Sequence, residues 1–137
     1  MARVKKTVQV LLEHLGYAQF DIGIWITTNA TIRRFNKTYR HKDTPTDILS
    51  FPFYPELKAG EKIIATTPDE QNLGDIIISA ERALKDAREL GRAFPEHLSV
   101  LLVHGICHLL GYDHETDAQY ELMARKEREL LTLLSVF

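Results

Sequence analysis

"HGICHLLGYDH", residues 104–114, carries three of the six histidines in this chain. Apolar spacing predicts a helix here, and His104 and His108 stand one turn apart on it, separated by about 40° around the axis. Both imidazoles can therefore reach one metal ion. Gly111 ends the helix and permits the left-handed backbone of a sharp turn, so the chain reverses and His114 can return as a third ligand. The offsets 0, +4, +7 and +10 repeat the H-E-x-x-H-x-x-G-x-x-H zinc pattern, except that Gly105 stands where the acid would be. Histidines on a helix are usually ordinary polar residues. Here Val103, Ile106, Leu109 and Leu110 surround the pair, and an unpaired, buried imidazole pair would be costly. Three neutral imidazoles with an open fourth position describe a catalytic zinc site, one Zn2+ per chain.

Gly105 narrows the chemistry. In a zinc peptidase the acid beside the first His shuttles a proton to the leaving amine. An amide needs that shuttle, because an unprotonated amine leaves poorly. A phosphodiester needs a Lewis acid or a nucleophile near neutral pH, and cations on its oxygens. Zinc supplies the first. The segment from Asn29 to Lys42 offers the second: Arg33, Arg34, Lys37, Arg40 and Lys42, with no acidic residue among them. A basic run is often only a solvated helix face. The other reading, on a chain of formal net charge −2, is a local phosphate-binding patch.

The rest of the chain reads as α+β, a small mixed sheet packed by several helices, with residues 1–137 forming one domain. Helices are expected at 4–15, with Gly16 as stop, and from Thr28 or Asn29 to about Tyr39, with Ile32, Phe35 and Tyr39 inward. Others follow from Ser79 or Ala80 to Leu90, from Pro95 to Gly111, and from Thr116, with Gln119 completing a capping box, to about Leu134. Phe20, Ile22, Ile24 and Ile26 alternate with polar neighbours as a half-buried strand. "ILSFPF" (48–53) and "LGDIIISA" (73–80) are further strands. Residues 54–72 are expected as a hairpin or loop, with "KIIATT" (62–67) a short strand. Asp75 can hydrogen-bond a ligand or a loop or be an edge-of-strand residue, Asp113 can orient a ligand imidazole, act as a base or cap the turn, and Cys107 falls off the ligand face as a core residue. His97 is too far along the helix to be a ligand, and His14 and His41 fit no pattern.

Composition is that of a soluble globular protein, with 45% hydrophobic and 26% charged residues. No apolar run approaches the roughly 18 residues of a membrane span, and the N-terminal "MARVKKTVQVLLEHL" reads as an amphipathic helix rather than a signal peptide. The single cysteine excludes an intrachain disulfide, so no membrane and no disulfide-linked partner is expected, and the location is read as cytoplasmic.

"HGICHLLGYDH" resembles the H-G-x-x-H-L-x-G-Y-D-H signature of the YbeY family, bacterial endoribonucleases of rRNA maturation. "FNKTYRHKDTPTDILSFPF" and "LGDIIIS" resemble that family's other two blocks, in the same order; the first 30 residues and the last helix match only in kind. The resemblance implies one zinc held by His104, His108 and His114, and a functionally important arginine at Arg40. It implies cleavage of single-stranded RNA in 16S rRNA 3′-end maturation and ribosome quality control, with rRNA of the small subunit as partner. Two other readings stay open: a metallopeptidase-like hydrolase using another acid, and a non-catalytic ribosome assembly factor with a structural zinc.

Overall fold

The computed structural model describes residues 2–135. Nine elements follow one another among them: α1 (Ala2–Leu15), β1 (Asp21–Thr27), α2 (Asn29–Arg40), β2 (Ile48–Pro52), a 3-10 turn (Pro68–Glu70), β3 (Asn72–Ser79), α3 (Ala80–Leu90), α4 (Phe94–Leu109) and α5 (Asp117–Leu134). The strands form one mixed sheet in the order β1-β3-β2, β1 parallel and β2 antiparallel to β3. β3 is central, and its Ile76, Ile77 and Ile78 are buried on both faces of the sheet, while Asp75 is exposed. This is the α+β fold expected, a small mixed sheet packed by helices.

Two unequal layers flank the sheet. On one face Ile76 and Ile78 join Leu11, Leu102, Val103, Ile106 and Leu130 in the main core. On the other, Leu49 and Ile77 meet Ile32 of α2 in a small cluster edged by Phe35 and Phe51. α4 lies at the centre, touching β2, β3, α1, α3 and α5. Its N-cap, Ala93, makes no side-chain cap bond. A missing cap costs about 1 kcal/mol, while one fully buried Leu or Ile contributes about 1.5–3 kcal/mol. Leu102, Val103, Ile106 and Leu109 are all buried to 1% exposure or less, so tertiary packing rather than local sequence holds this helix. The other helices start as the residues dictate: Thr28 and Ser79 cap α2 and α3, and Thr116 with Gln119 makes a full capping box on α5.

Two expectations are corrected. "KIIATT" is not a strand. Two of its donors go to the α1–β1 corner, Lys62 Nζ to the Leu15 carbonyl at 3.2 Å and Ile63 N to the Tyr17 hydroxyl at 3.1 Å, and Thr66 N donates to Glu70 Oε1 at 2.7 Å, which leaves no register with the sheet. Tyr39 is not inward but 60% exposed; its ring lies against Phe35 and Phe51 on the surface. Pro52 does close β2, on an edge of the sheet where its missing N–H is tolerated.

Candidate metal centre

α4 carries His104 and His108 on its last turns, and the helix then stops in a Schellman arrangement. Tyr112 N donates to the Cys107 carbonyl at 3.0 Å and Gly111 N to the His108 carbonyl at 3.1 Å. Gly111 has φ +91°, and a Cβ there would also collide with the Leu57 carbonyl of the 53–71 loop. Glycine is thus required twice, by backbone conformation and by the loop against it. Beyond the turn, Asp113 Oδ1 accepts from His114 N at 2.8 Å. Asp113 therefore braces the turn that presents His114.

The three histidines come together as the spacing predicts, with one ligand nitrogen from each lying within 4.8 Å of the others. His104 Nε2 and His108 Nε2 are 3.2 Å apart. Two ligands about 2.05 Å from a tetrahedral zinc stand about 3.3 Å from each other, so this pair has the spacing the ion requires. Burial first, and then the neighbouring His104 and His114, push the His108 pKa below its ordinary value. That favours the neutral imidazole a metal needs.

Sequence reasoning missed Glu127. Its Oε2 lies 2.9 Å from His104 Nδ1. A carboxylate can only accept there, so Nδ1 carries the proton and the Nε2 lone pair faces the cluster. A signal existed: Glu127 shares a helical stripe with Met123 and Leu130, the buried residues of α5, where an unpartnered carboxylate would be out of place.

Gly105 also has a second meaning. A Cβ at this position would sit 2.8 Å from Ile76 Cδ1 and 3.0 Å from Ile48 Cδ1. The glycine lets α4 press against the sheet, so the residue read as a missing acid is also a packing contact. Cys107 is wholly buried, and desolvation pushes its thiol up to about 12; it is a core residue, as expected. His97 is buried beside Arg92, His14 pairs with Glu129 at 2.9 Å, and His41 caps α2 with φ 58°.

The histidines open into a groove of about 850 Å³ whose wall includes Tyr39, Arg40, β2, Asp47, Asp113 and Glu115. Arg40, the last residue of α2, shares this groove with all three histidines, and its guanidinium has no hydrogen-bond or ion-pair partner among the described residues. The other basic candidates lie outside the groove's lining. Arg33 Nε binds Asp43 Oδ1 at 2.8 Å, and Arg34 reaches Thr31 at 3.5 Å. Lys37 and Lys42 are exposed on and just beyond α2. The run is free of acids in sequence, but Asp43, one residue past its end, folds back on Arg33. Their bond lowers the Asp43 pKa and raises that of Arg33.

The model of the family described as endoribonuclease YbeY matches residues 1–135. The chain belongs to the YbeY family. A human YbeY, described as an endoribonuclease, is 38% identical over 130 residues, 95% of this chain and 77% of that protein. YbeY of Aquifex aeolicus, with the same description, is 44% identical over 128 residues, 93% and 77% of the two chains. The human relative extends the family beyond the bacteria to which the sequence resemblance pointed. The solution structure of a Thermotoga maritima protein has the same fold at 22% identity and a TM-score of 0.56, covering 96% of this chain and 81% of that one. In this YbeY chain no helix among the described residues is long and apolar enough to cross a membrane.

Proposed function

We propose that residues 1–137 work as one domain, a zinc-dependent endoribonuclease that cleaves single-stranded RNA. The rRNA of the small ribosomal subunit is its substrate, in 16S 3′-end maturation and quality control in the cytoplasm. The observation that carries this reading is the shared groove. Three histidines able to hold one metal and an unpaired arginine face the same space, in a chain whose relatives are described as endoribonucleases.

His104, His108 and His114 would hold zinc, which supplies Lewis acidity and a nucleophile near neutral pH. Glu127 fixes the tautomer of His104. Arg40 offers a planar fork of donors to the phosphate oxygens as charge gathers on them. Asp47, Asp113 and Glu115 are the carboxylates of the groove wall, placed to accept a proton from the attacking group. Arg33, Arg34, Lys37 and Lys42 contribute field along the approach of the RNA, so binding weakens steeply with salt.

A peptidase reading loses support at Gly105, which faces Ile76 and Ile48 and holds the helix against the sheet. A purely structural zinc would want a fourth protein ligand, and the described residues cluster only three candidates here. The test pairs metal analysis with two substrates. The parent should hold one zinc, cut single-stranded RNA and leave casein intact, while His108→Ala loses both zinc and RNA cleavage. Casein hydrolysis by the parent, or full cleavage by metal-free His108→Ala, would overturn the proposal.

A further inference from the structure

The sheet face under α2 is only partly covered. Beside Ile32 and Phe35 it opens into a second cleft of about 490 Å³, lined by Gly23, Trp25, Phe35, Tyr39, Phe51 and Asp75, among others. Its rings form an unbroken series. Trp25 meets Phe35 edge-on at 5.5 Å, Phe35 stacks on Tyr39 at 5.9 Å and 16°, and Tyr39 meets Phe51 at 5.3 Å. Trp25 and Tyr39 are 47% and 60% exposed. Large aromatic faces left in water at one place mark a binding surface. The rim of the cleft is also the rim of the metal groove, because Tyr39 and Phe51 line both.

Asp75 gives the cleft a polar group. It is exposed on β3, and its Oδ1 occupies the space that a Cβ on Gly23 would need. The glycine on the neighbouring strand therefore makes room for the carboxylate. Among the described residues that carboxylate makes no hydrogen bond and no ion pair.

We infer that this cleft holds one unstacked base of the RNA whose phosphate lies in the metal groove, with Asp75 reading the base's amine-bearing edge. The inference rests on the endoribonuclease reading above and adds a subsite to it. Bases of single strands stack on aromatic side chains and are read on their Watson–Crick edges. A carboxylate offers two acceptors and no donor. Guanine, with two parallel N–H donors, fits it best. Cytosine and adenine follow with one amine each, and uracil sets carbonyl oxygens against it. Arg40 follows Tyr39 in sequence, so the same helix end that stacks the base offers a cation to the adjoining phosphate. The basic residues of α2 keep the backbone on that side.

Trp25 is the only tryptophan in the chain, so its fluorescence reports the cleft directly. The zinc-loaded protein is mixed with the trinucleotides UGU or UUU in stopped flow and read before turnover, with anisotropy of labelled RNA as an independent measure of binding. UGU should quench Trp25 and bind about tenfold more tightly than UUU, the ratio expected for a charge-assisted hydrogen bond to the base. Asp75→Asn should close that gap without changing zinc content, and Trp25→Leu should raise KM for a guanine-containing strand more than it lowers kcat. RNA that binds and is cut without quenching Trp25, or a gap that survives in Asp75→Asn, would overturn the inference and leave the enzyme reading intact. Failure of both trinucleotides to bind, with no cleavage of longer single strands, would remove both.

Discussion

Glu127→Gln isolates one hydrogen bond at the metal centre. The side chain keeps its size, and the buried neighbours on its stripe, Met123 and Leu130, are untouched, so α5 should stay packed on α4. What changes is the acceptor. An amide oxygen can still take the His104 Nδ1 proton, but without negative charge, and the amide can flip to present its NH2 group. The ring then loses both its fixed tautomer and part of the basicity the carboxylate lends to Nε2. Losing such a partner typically costs 10- to 100-fold in metal affinity, about 1.4–2.7 kcal/mol. Here the His104 and Glu127 side chains are 32% and 26% exposed, so water partly replaces the lost contact, and the lower end, about tenfold, is expected. Glu127→Ala should fall further, since it also leaves space. The assay is competition for zinc against a chromophoric chelator at fixed pH, with thermal unfolding of the metal-free proteins as the control. Equal zinc affinity in Glu127→Gln and the parent would show that this carboxylate does not orient His104.

Three shorter predictions come from the packing. Gly105→Ala should lower the stability of the metal-free protein by about 1–3 kcal/mol, because its Cβ meets Ile76 and Ile48; Gly105→Glu should unfold at lower temperature still and gain no peptidase activity. An unfolding temperature equal to the parent's in either variant would contradict the contact. Gly111→Ala should cost about 1 kcal/mol or more, since φ is +91° and Leu57 blocks the new methyl, and His114 should be displaced with it, so zinc affinity and stability fall together in titration and melting. Cys107 should resist thiol reagents at pH 8 until the protein is denatured. Its folded pKa is raised to about 12 from 9.0, so its stabilising effect is full below pH 9 and lost as the pH rises towards 12, which unfolding measured across that range will show.

The metal helix was legible because its information is local. Spacing along one helix and one turn glycine bring three histidines together, and the apolar residues between them say which face is buried. The caps at Thr28, Ser79 and Thr116 were legible for the same reason. Glu127 was not, because its partner lies 23 residues away on a separate helix, and only the packing of α4 on α5 joins them. In sequence Gly105 reads as chemistry lost, yet a Cβ there would meet Ile76 and Ile48 on two other elements. Gly111 gave its turn away, but not the loop carbonyl of Leu57 that presses on it. "KIIATT" has strand-like residues, and long-range donors to Tyr17 and Leu15 override them. Tyr39 follows a helical stripe that the sequence reads as inward, while the structure sets its ring on a rim between two grooves.

In the proposed reaction a metal held by three histidines and a phosphate held by Arg40 act together on single-stranded RNA. Arg40 cannot be a metal ligand, so substitution there separates substrate chemistry from metal binding. The decisive measurement is turnover of a single-stranded RNA and zinc per chain, made on the same preparations of the parent, Arg40→Lys and Arg40→Ala. One zinc is expected in all three, with impaired cleavage in Arg40→Lys, which keeps charge but loses the planar fork, and loss of most cleavage in Arg40→Ala. Full activity in Arg40→Ala would remove the arginine from the reaction, and loss of its zinc would mean that Arg40 serves the fold instead.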